Sequence, residues 1–215
     1  MNSFYTQILL TLFFVSIVFL HIVKKNITTV ILYSLQSLAI VLLLVNSFLE
    51  TGKNSLLFVA CLVLVVKVIL APAFFINSIN KFKLKFLVTT YVNTPLTLIS
   101  VTILTAFAHS KLFISLAHII PINEHLLYLA LSAIFISLFL IVNCKVALSQ
   151  IIAVLSLENS IVAFGFFAGL EQSPILQIGI VFDIFVWIII ATVFISMIQK
   201  HFGSLDVTEM KYLKD

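Results

Sequence analysis

Three ionisable side chains interrupt long apolar stretches of this 215-residue sequence, and their types suit proton chemistry. Lys67, Glu158 and Asp183 each lie among mostly aliphatic and aromatic residues. An ionisable group near the centre of a bilayer costs at least about 2.5–3.5 kcal/mol to insert, so by default it marks an ion pathway or a functional pair. Because burial disfavours the charged form of acids and bases, protonation can change under mild perturbation. The three residues therefore predict a proton relay.

The same residues also fit a second interpretation, in which buried ion pairs only fix the packing of helices. In particular, Lys67 could neutralise a carboxylate on a neighbouring subunit. Polar residues close to Glu158 provide support for its charge and could hold water, but they serve equally well as hydrogen-bonding contacts between membrane helices. These residues are Ser156, Asn159 and Ser160. Both interpretations remain open at the level of the sequence.

The composition indicates that lipid surrounds the elements that carry these charges. Hydrophobic residues make up 62% of the chain and charged residues 9%, and the mean hydropathy is +1.27. A bilayer core about 30 Å thick requires about 20 apolar residues per helix. The sequence therefore predicts an all-α, multi-pass protein of the cell membrane, with about seven transmembrane helices and no room for a soluble catalytic domain. The apolar runs cover residues 4–22, 27–49, 55–79, 86–108, 125–143, 146–169 and 175–198.

Residue counts along these runs place the charges deep in the bilayer. Lys67 lies about 12 residues from the outer end of the third run, or roughly 18 Å. Glu158 lies about 12 residues from the cytoplasmic start of the sixth run, and Asp183 about eight residues from the outer start of the seventh. The two carboxylates are thus expected to share a depth. Pro72 and Pro95 are expected to kink the third and fourth helices, and Pro72 to free a backbone carbonyl near Lys67.

The lysines are distributed unevenly between the two sides of the predicted helices. If every run spans, one side carries Lys24, Lys25, Lys81, Lys83, Lys85, Lys145, Lys200, Lys211 and Lys214. The other side carries Lys53 and Lys111. The positive-inside rule then places the N-terminus outside and the C-terminus in the cytoplasm. It also explains the formal net charge of +4 without a nucleic-acid partner.

No cofactor or metal motif is recognisable in the sequence. Cys61 and Cys144 have no partner at disulfide or metal-ligand spacing and are interpreted as packing residues. His118 and His125 lack the spacing that would place two histidines on one helical face as metal ligands. With neither a cysteine quartet nor a nucleotide or haem motif, the chain is expected to bind no redox cofactor and to contain no catalytic residue of its own.

The C-terminal third of the chain resembles subunit K of respiratory complex I. That subunit has three membrane helices, an outside N-terminus, a Leu-Glu pair in its second helix and a carboxylate in its third. Leu157-Glu158-Asn159 matches the first position, and Asp183 stands where that family usually has Glu. The resemblance continues in the tail, at Ser204-Leu205-Asp206 and Glu209-Met210.

The whole chain is similar to component E of hydrogenase 4-type and formate hydrogenlyase-type complexes. The similarity lies in length, in Val66-Lys67-Val68 followed by Pro72, and in Phe182-Asp183 of the last helix. It implies a four-helix region at 1–124, a subunit K-like region at 125–200 and a short cytoplasmic tail at 201–215. It also implies a membrane-arm subunit that translocates protons beside antiporter-like subunits, under a cytoplasmic hydrogenase or related redox arm.

Two other functions follow from the same features. Related complexes couple a similar membrane arm to cation antiport or to inorganic-carbon uptake, and there the chain would be a structural adaptor with static charges. A stand-alone transporter of small solutes is disfavoured, because the sequence shows no inverted repeat with paired broken helices.

Overall fold

The computed structural model describes residues 3–81, 88–113 and 124–170, and seven isolated helical positions between 178 and 196. In these ranges the chain is all-helical and contains no strand, which confirms the predicted all-α class. Asp183 and the predicted tail at 201–215 lie outside the described residues.

The described ranges contain seven α-helices, one π-helical segment and a short 3-10 helix at Lys111–Phe113. The helices are α1 (Ser3–Ile22), α2 (Asn26–Thr51), α3 (Asn54–Val63), α4 (Ala71–Lys81), α5 (Thr94–Ala108), α6 (Glu124–Asn143) and α7 (Ala147–Phe167). The π-helical segment, Leu64–Leu70, joins α3 to α4 without a break. Five helices are long and apolar enough to cross a membrane: Phe4–Ile22, Asn26–Thr51, Asn54–Asn77, Glu124–Asn143 and Ala147–Phe167. They coincide with five of the predicted runs, while the total of seven and the orientation stay predictions.

The helix α5 begins later than the sequence suggested. The predicted run 86–108 is wrong at its start, because residues 88–93 are not helical and α5 begins at Thr94. Asn93 caps the helix by accepting a hydrogen bond from the Leu96 backbone N–H at 3.2 Å. Pro95 lies in the first turn of α5. Backbone N–H groups in a first turn have no acceptor within the helix, so a proline there breaks no helical hydrogen bond. The prediction that Pro95 kinks this helix was therefore also wrong.

The non-helical segment 88–93 ties together the loops at one end of the bundle. The backbone N–H of Val88 donates to the carbonyl of Lys24 at 2.7 Å, and the N–H of Lys145 donates to Thr89 at 3.0 Å. The buried Asn143 side chain also accepts from the N–H of Val92. These bonds bring the loop before α2 and the loop before α7 to the same end, as the lysine pattern predicted.

The lysines of the described loops separate between the two ends of the bundle. Lys24, Lys25 and Lys145 lie at the end bounded by segment 88–93, hereafter the lysine-rich end. Lys53 follows the far end of α2, where Gly52 adopts a left-handed conformation (φ 66°) and donates to the Phe48 carbonyl. This separation agrees with the pattern used to predict orientation, because cytoplasmic loops carry an excess of Lys.

A reporter fusion tests that orientation directly. We expect a reporter joined to the C-terminus to be active in the cytoplasm and one joined to the N-terminus to be active outside, because the lysine-rich end should face inward. Matched fusions at Lys53 and Lys145 should report opposite sides. A C-terminus found outside would contradict the orientation, and two termini found on the same side would contradict the odd number of spans.

Two of the three apolar clusters in the described residues stack along the bundle and leave a polar layer between them. The first includes Phe13, Leu43, Val63 and Ile136 and lies towards the end opposite the lysines. The second includes Tyr33, Phe75 and Leu148, from α2, α4 and the first turn of α7. Both clusters draw on helices from each side of residue 124, and the division into regions at that residue stays a prediction. The candidate site occupies the layer between the clusters.

Candidate functional site

Lys67 lies inside the π-helical segment that joins α3 to α4. There the backbone N–H of Ala71 donates to the carbonyl of Val66, five residues earlier. Pro72 follows at once and has no N–H to give to Val68, four residues before it. The Val68 carbonyl accepts a hydrogen bond from the Ser34 hydroxyl of α2 at 3.3 Å. π-Helical turns inside longer helices occur frequently at functional sites.

The ammonium group of Lys67 contacts two consecutive residues of α7. It donates a hydrogen bond to Oδ1 of Asn159 at 2.9 Å. It also forms an ion pair with Glu158, with Nζ 3.4 Å from Oε2. Lys67 is 1% exposed and Glu158 is 12% exposed. The lysine thus pairs with a carboxylate of its own chain, whereas the sequence had suggested a carboxylate on a neighbouring subunit.

A short chain of hydrogen bonds holds Asn159 in place. Its side-chain amide nitrogen donates to the Ser37 hydroxyl of α2 at 3.0 Å. That hydroxyl donates in turn to the backbone carbonyl of Tyr33 at 3.1 Å. Because a carbonyl can only accept, the Ser37 proton points towards Tyr33, and Ser37 must accept from the NH2 group of Asn159. The amide oxygen of Asn159 is left facing Lys67.

Further polar contacts join α7 to α2 and α6 in the same layer. The hydroxyl of Ser156 donates to Oε1 of Gln36 at 2.9 Å. The hydroxyls of Ser160 and Ser137 lie 3.0 Å apart, and Ser160 donates to the Ser156 carbonyl at 2.9 Å. All of these side chains are buried. We call the whole set the polar layer; it comprises Gln36, Ser37, Lys67, Ser137, Ser156, Glu158, Asn159 and Ser160.

The polar layer lies near the middle of the spans. Ser37 is 11 residues from the start of α2 at Asn26, and Asn159 is 12 residues from the start of α7 at Ala147. At 1.5 Å per residue, both lie roughly 17–18 Å from the lysine-rich end. Both carboxylate oxygens of Glu158 are inaccessible to solvent. The charge pair therefore lies near the middle of the candidate spans, and its depth in a bilayer stays a prediction.

The sequence-predicted residues are only partly brought together by the described structure. Lys67, Glu158 and Asn159 are in contact, while Ser156 and Ser160 face α2 and α6 in the same layer. Asp183 lies outside the described residues, so its place beside Glu158 stays a prediction.

Sequence reasoning missed three members of the polar layer, which are Gln36, Ser37 and Ser137. The sequence did contain a signal for these three residues, because each is a polar residue inside an apolar run. Gln36 and Ser37 interrupt the centre of the apolar run 27–49, and Ser137 lies inside 125–143. Polar side chains within membrane helices usually face other helices.

The remaining candidate ligands do not form a site in the described ranges. His21 lies within hydrogen-bonding distance of the Ile136 carbonyl and stacks on Phe139, which is a packing arrangement. Cys144 is buried at the turn before α7, and burial raises the pKa of its thiol to about 12. No group of three His, Cys, Asp or Glu residues that could hold a metal occurs among the described residues.

The arrangement can hold one exchangeable proton at a fixed place. The carboxylate of Glu158 is a group that can accept and release a proton. Asn159 and the serines do not titrate, but they can orient the charges.

Comparison with protein-family models, with curated proteins and with solved structures finds no match for this chain.

Proposed function

We propose that this chain is a membrane-arm subunit of a hydrogenase 4-type, complex I-related oxidoreductase complex, in which its buried carboxylates take part in proton translocation. The observation that carries the proposal is the buried pair of Lys67 and Glu158, 3.4 Å apart in the middle of helices long enough to span a bilayer. An intramembrane ion pair is costly to insert and is expected to be retained for function.

In this proposal Glu158 is a protonatable station and Lys67 modulates it. A proton that binds Glu158 neutralises its carboxylate, and the Lys67 ammonium keeps its hydrogen bond to Asn159. Release of the proton restores the ion pair. Asp183, predicted at a similar depth in the last helix, is the second station. The chain itself catalyses no redox reaction, and electrons stay in the partner subunits.

The resemblance to subunit K of respiratory complex I and to component E of hydrogenase 4-type complexes supports the proposed partners. The motifs that resemble the two families are Leu157-Glu158-Asn159 and Val66-Lys67-Val68. Their polar members, Lys67, Glu158 and Asn159, belong to the polar layer. We therefore propose antiporter-like membrane subunits and a cytoplasmic hydrogenase or related redox arm as partners in a bacterial or archaeal plasma membrane.

A structural adaptor is the second candidate, and one observation favours it. The polar layer links α2, the π-helical segment, α6 and α7 through hydrogen bonds between buried side chains. Such interhelical bonds also serve as static attachments in membrane proteins. An adaptor would use Lys67 and Glu158 to set packing and would move no proton.

Amide variants of the carboxylates separate these two functions. Glu158→Gln and Asp183→Asn keep size and hydrogen-bonding capacity but cannot titrate, so we expect assembled complexes that have lost most coupled proton movement. Glu158→Asp should retain more. The measurement is proton pumping in inverted vesicles, normalised to the amount of assembled complex recovered through a tag on this chain.

The matched control is Glu50→Gln, because Glu50 is exposed at the end of α2, away from the polar layer. It should pump like the unmodified complex. Normal pumping by both amide variants would reject the relay and leave the adaptor. Loss of assembled complex in step with lost pumping would favour the adaptor as well.

A further inference from the structure

The Lys67 ammonium occupies a position that has the features of a cation site. Its Nζ lies 2.9 Å from the Asn159 amide oxygen and 3.4 Å from a Glu158 carboxylate oxygen. Amide and carboxylate oxygens are among the ligands that hard metal cations use in proteins. Here these two oxygens contact the ammonium group of Lys67, a cation that is covalently attached to the chain.

The position of this cation is determined by its surroundings. Ser37 orients the Asn159 oxygen towards Lys67, as its own proton is given to the Tyr33 carbonyl. The lysine side chain is 1% exposed and belongs to the π-helical segment between α3 and α4. At mid-depth the ammonium cannot extend to the membrane surface, unlike a lysine near a helix end.

A second cation would meet strong repulsion at this place. A sodium ion bound to the Asn159 and Glu158 oxygens would lie within contact distance of the Lys67 ammonium. Like charges repel strongly where the surrounding dielectric constant is low. A proton needs no such volume, because it adds directly to a carboxylate oxygen of Glu158 and leaves Lys67 on Asn159.

We propose that Lys67 is the residue that restricts the Glu158 station to protons, because its ammonium fills the position that a sodium ion would need. This inference rests on the proposed role of Glu158 as a protonatable station and adds the identity of the ion. It also assigns Ser37 and Asn159 as positioning residues for the ammonium.

The test is covalent labelling of Glu158 by dicyclohexylcarbodiimide in membranes that contain the whole complex. This reagent modifies protonated carboxyl groups in membranes, so a competing ion that displaces the proton slows the reaction. Labelling is quantified by mass spectrometry on the peptide containing Glu158, with sodium chloride compared against choline chloride at equal ionic strength.

We expect sodium to leave labelling of the unmodified protein unchanged. In Lys67→Met, which keeps a long unbranched side chain without the charge, sodium should slow labelling several-fold. Lys67→Arg keeps a cation and should remain insensitive to sodium. Glu158→Gln marks the background.

Two results would overturn the inference. One is slower labelling of Glu158 in the unmodified protein when sodium is present. This measurement does not depend on whether any variant folds. The other is a Lys67→Met protein that is assembled and labelled yet insensitive to sodium. Neither depends on proton pumping, so failure of the ion assignment is distinguishable from failure of the relay, which the amide variants test.

Discussion

Replacing Lys67 by Met is expected to destabilise the folded chain by about 3 kcal/mol. Breaking a buried ion pair by removing one member typically costs about 3–5 kcal/mol, because the other charge stays buried. Glu158 can lower this cost by taking up a proton, so we place the effect at the low end. The quantity to measure is the free energy of unfolding in mixed micelles, followed by circular dichroism.

The double variant Lys67→Met with Glu158→Gln provides the decisive comparison. With both charges gone, no buried carboxylate is left opposite the methionine, so the double variant should be less destabilised than the sum of the two single variants. Contacting residues show interaction energies of about 0.5–3 kcal/mol, and we expect a value in the upper half. Lys53→Met, at an exposed lysine, should change stability by less than about 0.5 kcal/mol. Additive effects of Lys67 and Glu158 would contradict the ion pair.

The second large effect is expected at Asn159, which bonds to a charge on one side and to a hydroxyl on the other. Asn159→Leu removes the 2.9 Å hydrogen bond from Lys67 and the 3.0 Å bond to Ser37. Hydrogen bonds to charged groups contribute about 1.5–3 kcal/mol, and those between neutral groups about 1 kcal/mol. We therefore expect Asn159→Leu to cost about 3 kcal/mol and Ser37→Ala about 1 kcal/mol. Unfolding in the same micelles gives both values.

A serine elsewhere in the chain supplies the control for Asn159 and Ser37. Ser16 is buried in α1 and, within the described part of the chain, donates its hydroxyl to the Leu12 carbonyl of its own helix at 2.8 Å. Ser16→Ala should therefore change stability by less than about 0.5 kcal/mol. A loss at Ser37→Ala as large as that at Asn159→Leu would mean that Ser37 does more than orient the amide. An Asn159→Leu protein as stable as the Ser16 variant would contradict the hydrogen bond to Lys67.

The sequence by itself determined the all-helical class of the fold, the positions of five helices long enough to span a membrane, and the place of Lys67 and Glu158 along those helices. Five predicted runs match observed helices of spanning length, because a long apolar stretch can satisfy its backbone hydrogen bonds within itself as a helix. Depth follows from counting residues along such a helix, so Lys67 and Glu158 were both expected near mid-membrane. The residue types, an ammonium and carboxylates, already indicated proton chemistry or a static pair.

Local sequence could not determine the start of α5. The apolar run continues back to residue 86, but Asn143 of α6 binds the N–H of Val92 through its side chain. Segment 88–93 thereby obtains hydrogen bonds from neighbouring loops and does not require a helix. Pro95 is compatible with either outcome, because a proline is tolerated in a first turn and kinks a helix interior. The hydrogen bond from Val92 to Asn143, 51 residues away, favours the later start of α5 at Thr94.

Only the tertiary structure decided which side chains meet in the polar layer. Lys67 and Asn159 are 92 residues apart, and Ser37 comes from a third helix. Their contact depends on the rotation and register of each helix, and helices that are apolar all round have no amphipathic stripe from which to read that rotation. The π-helical segment also turns the side chains that follow it relative to an ideal α-helix. The residues of the charge pair were therefore predictable from the sequence, whereas their pairing and the orientation of Asn159 by Ser37 were set by how the helices pack.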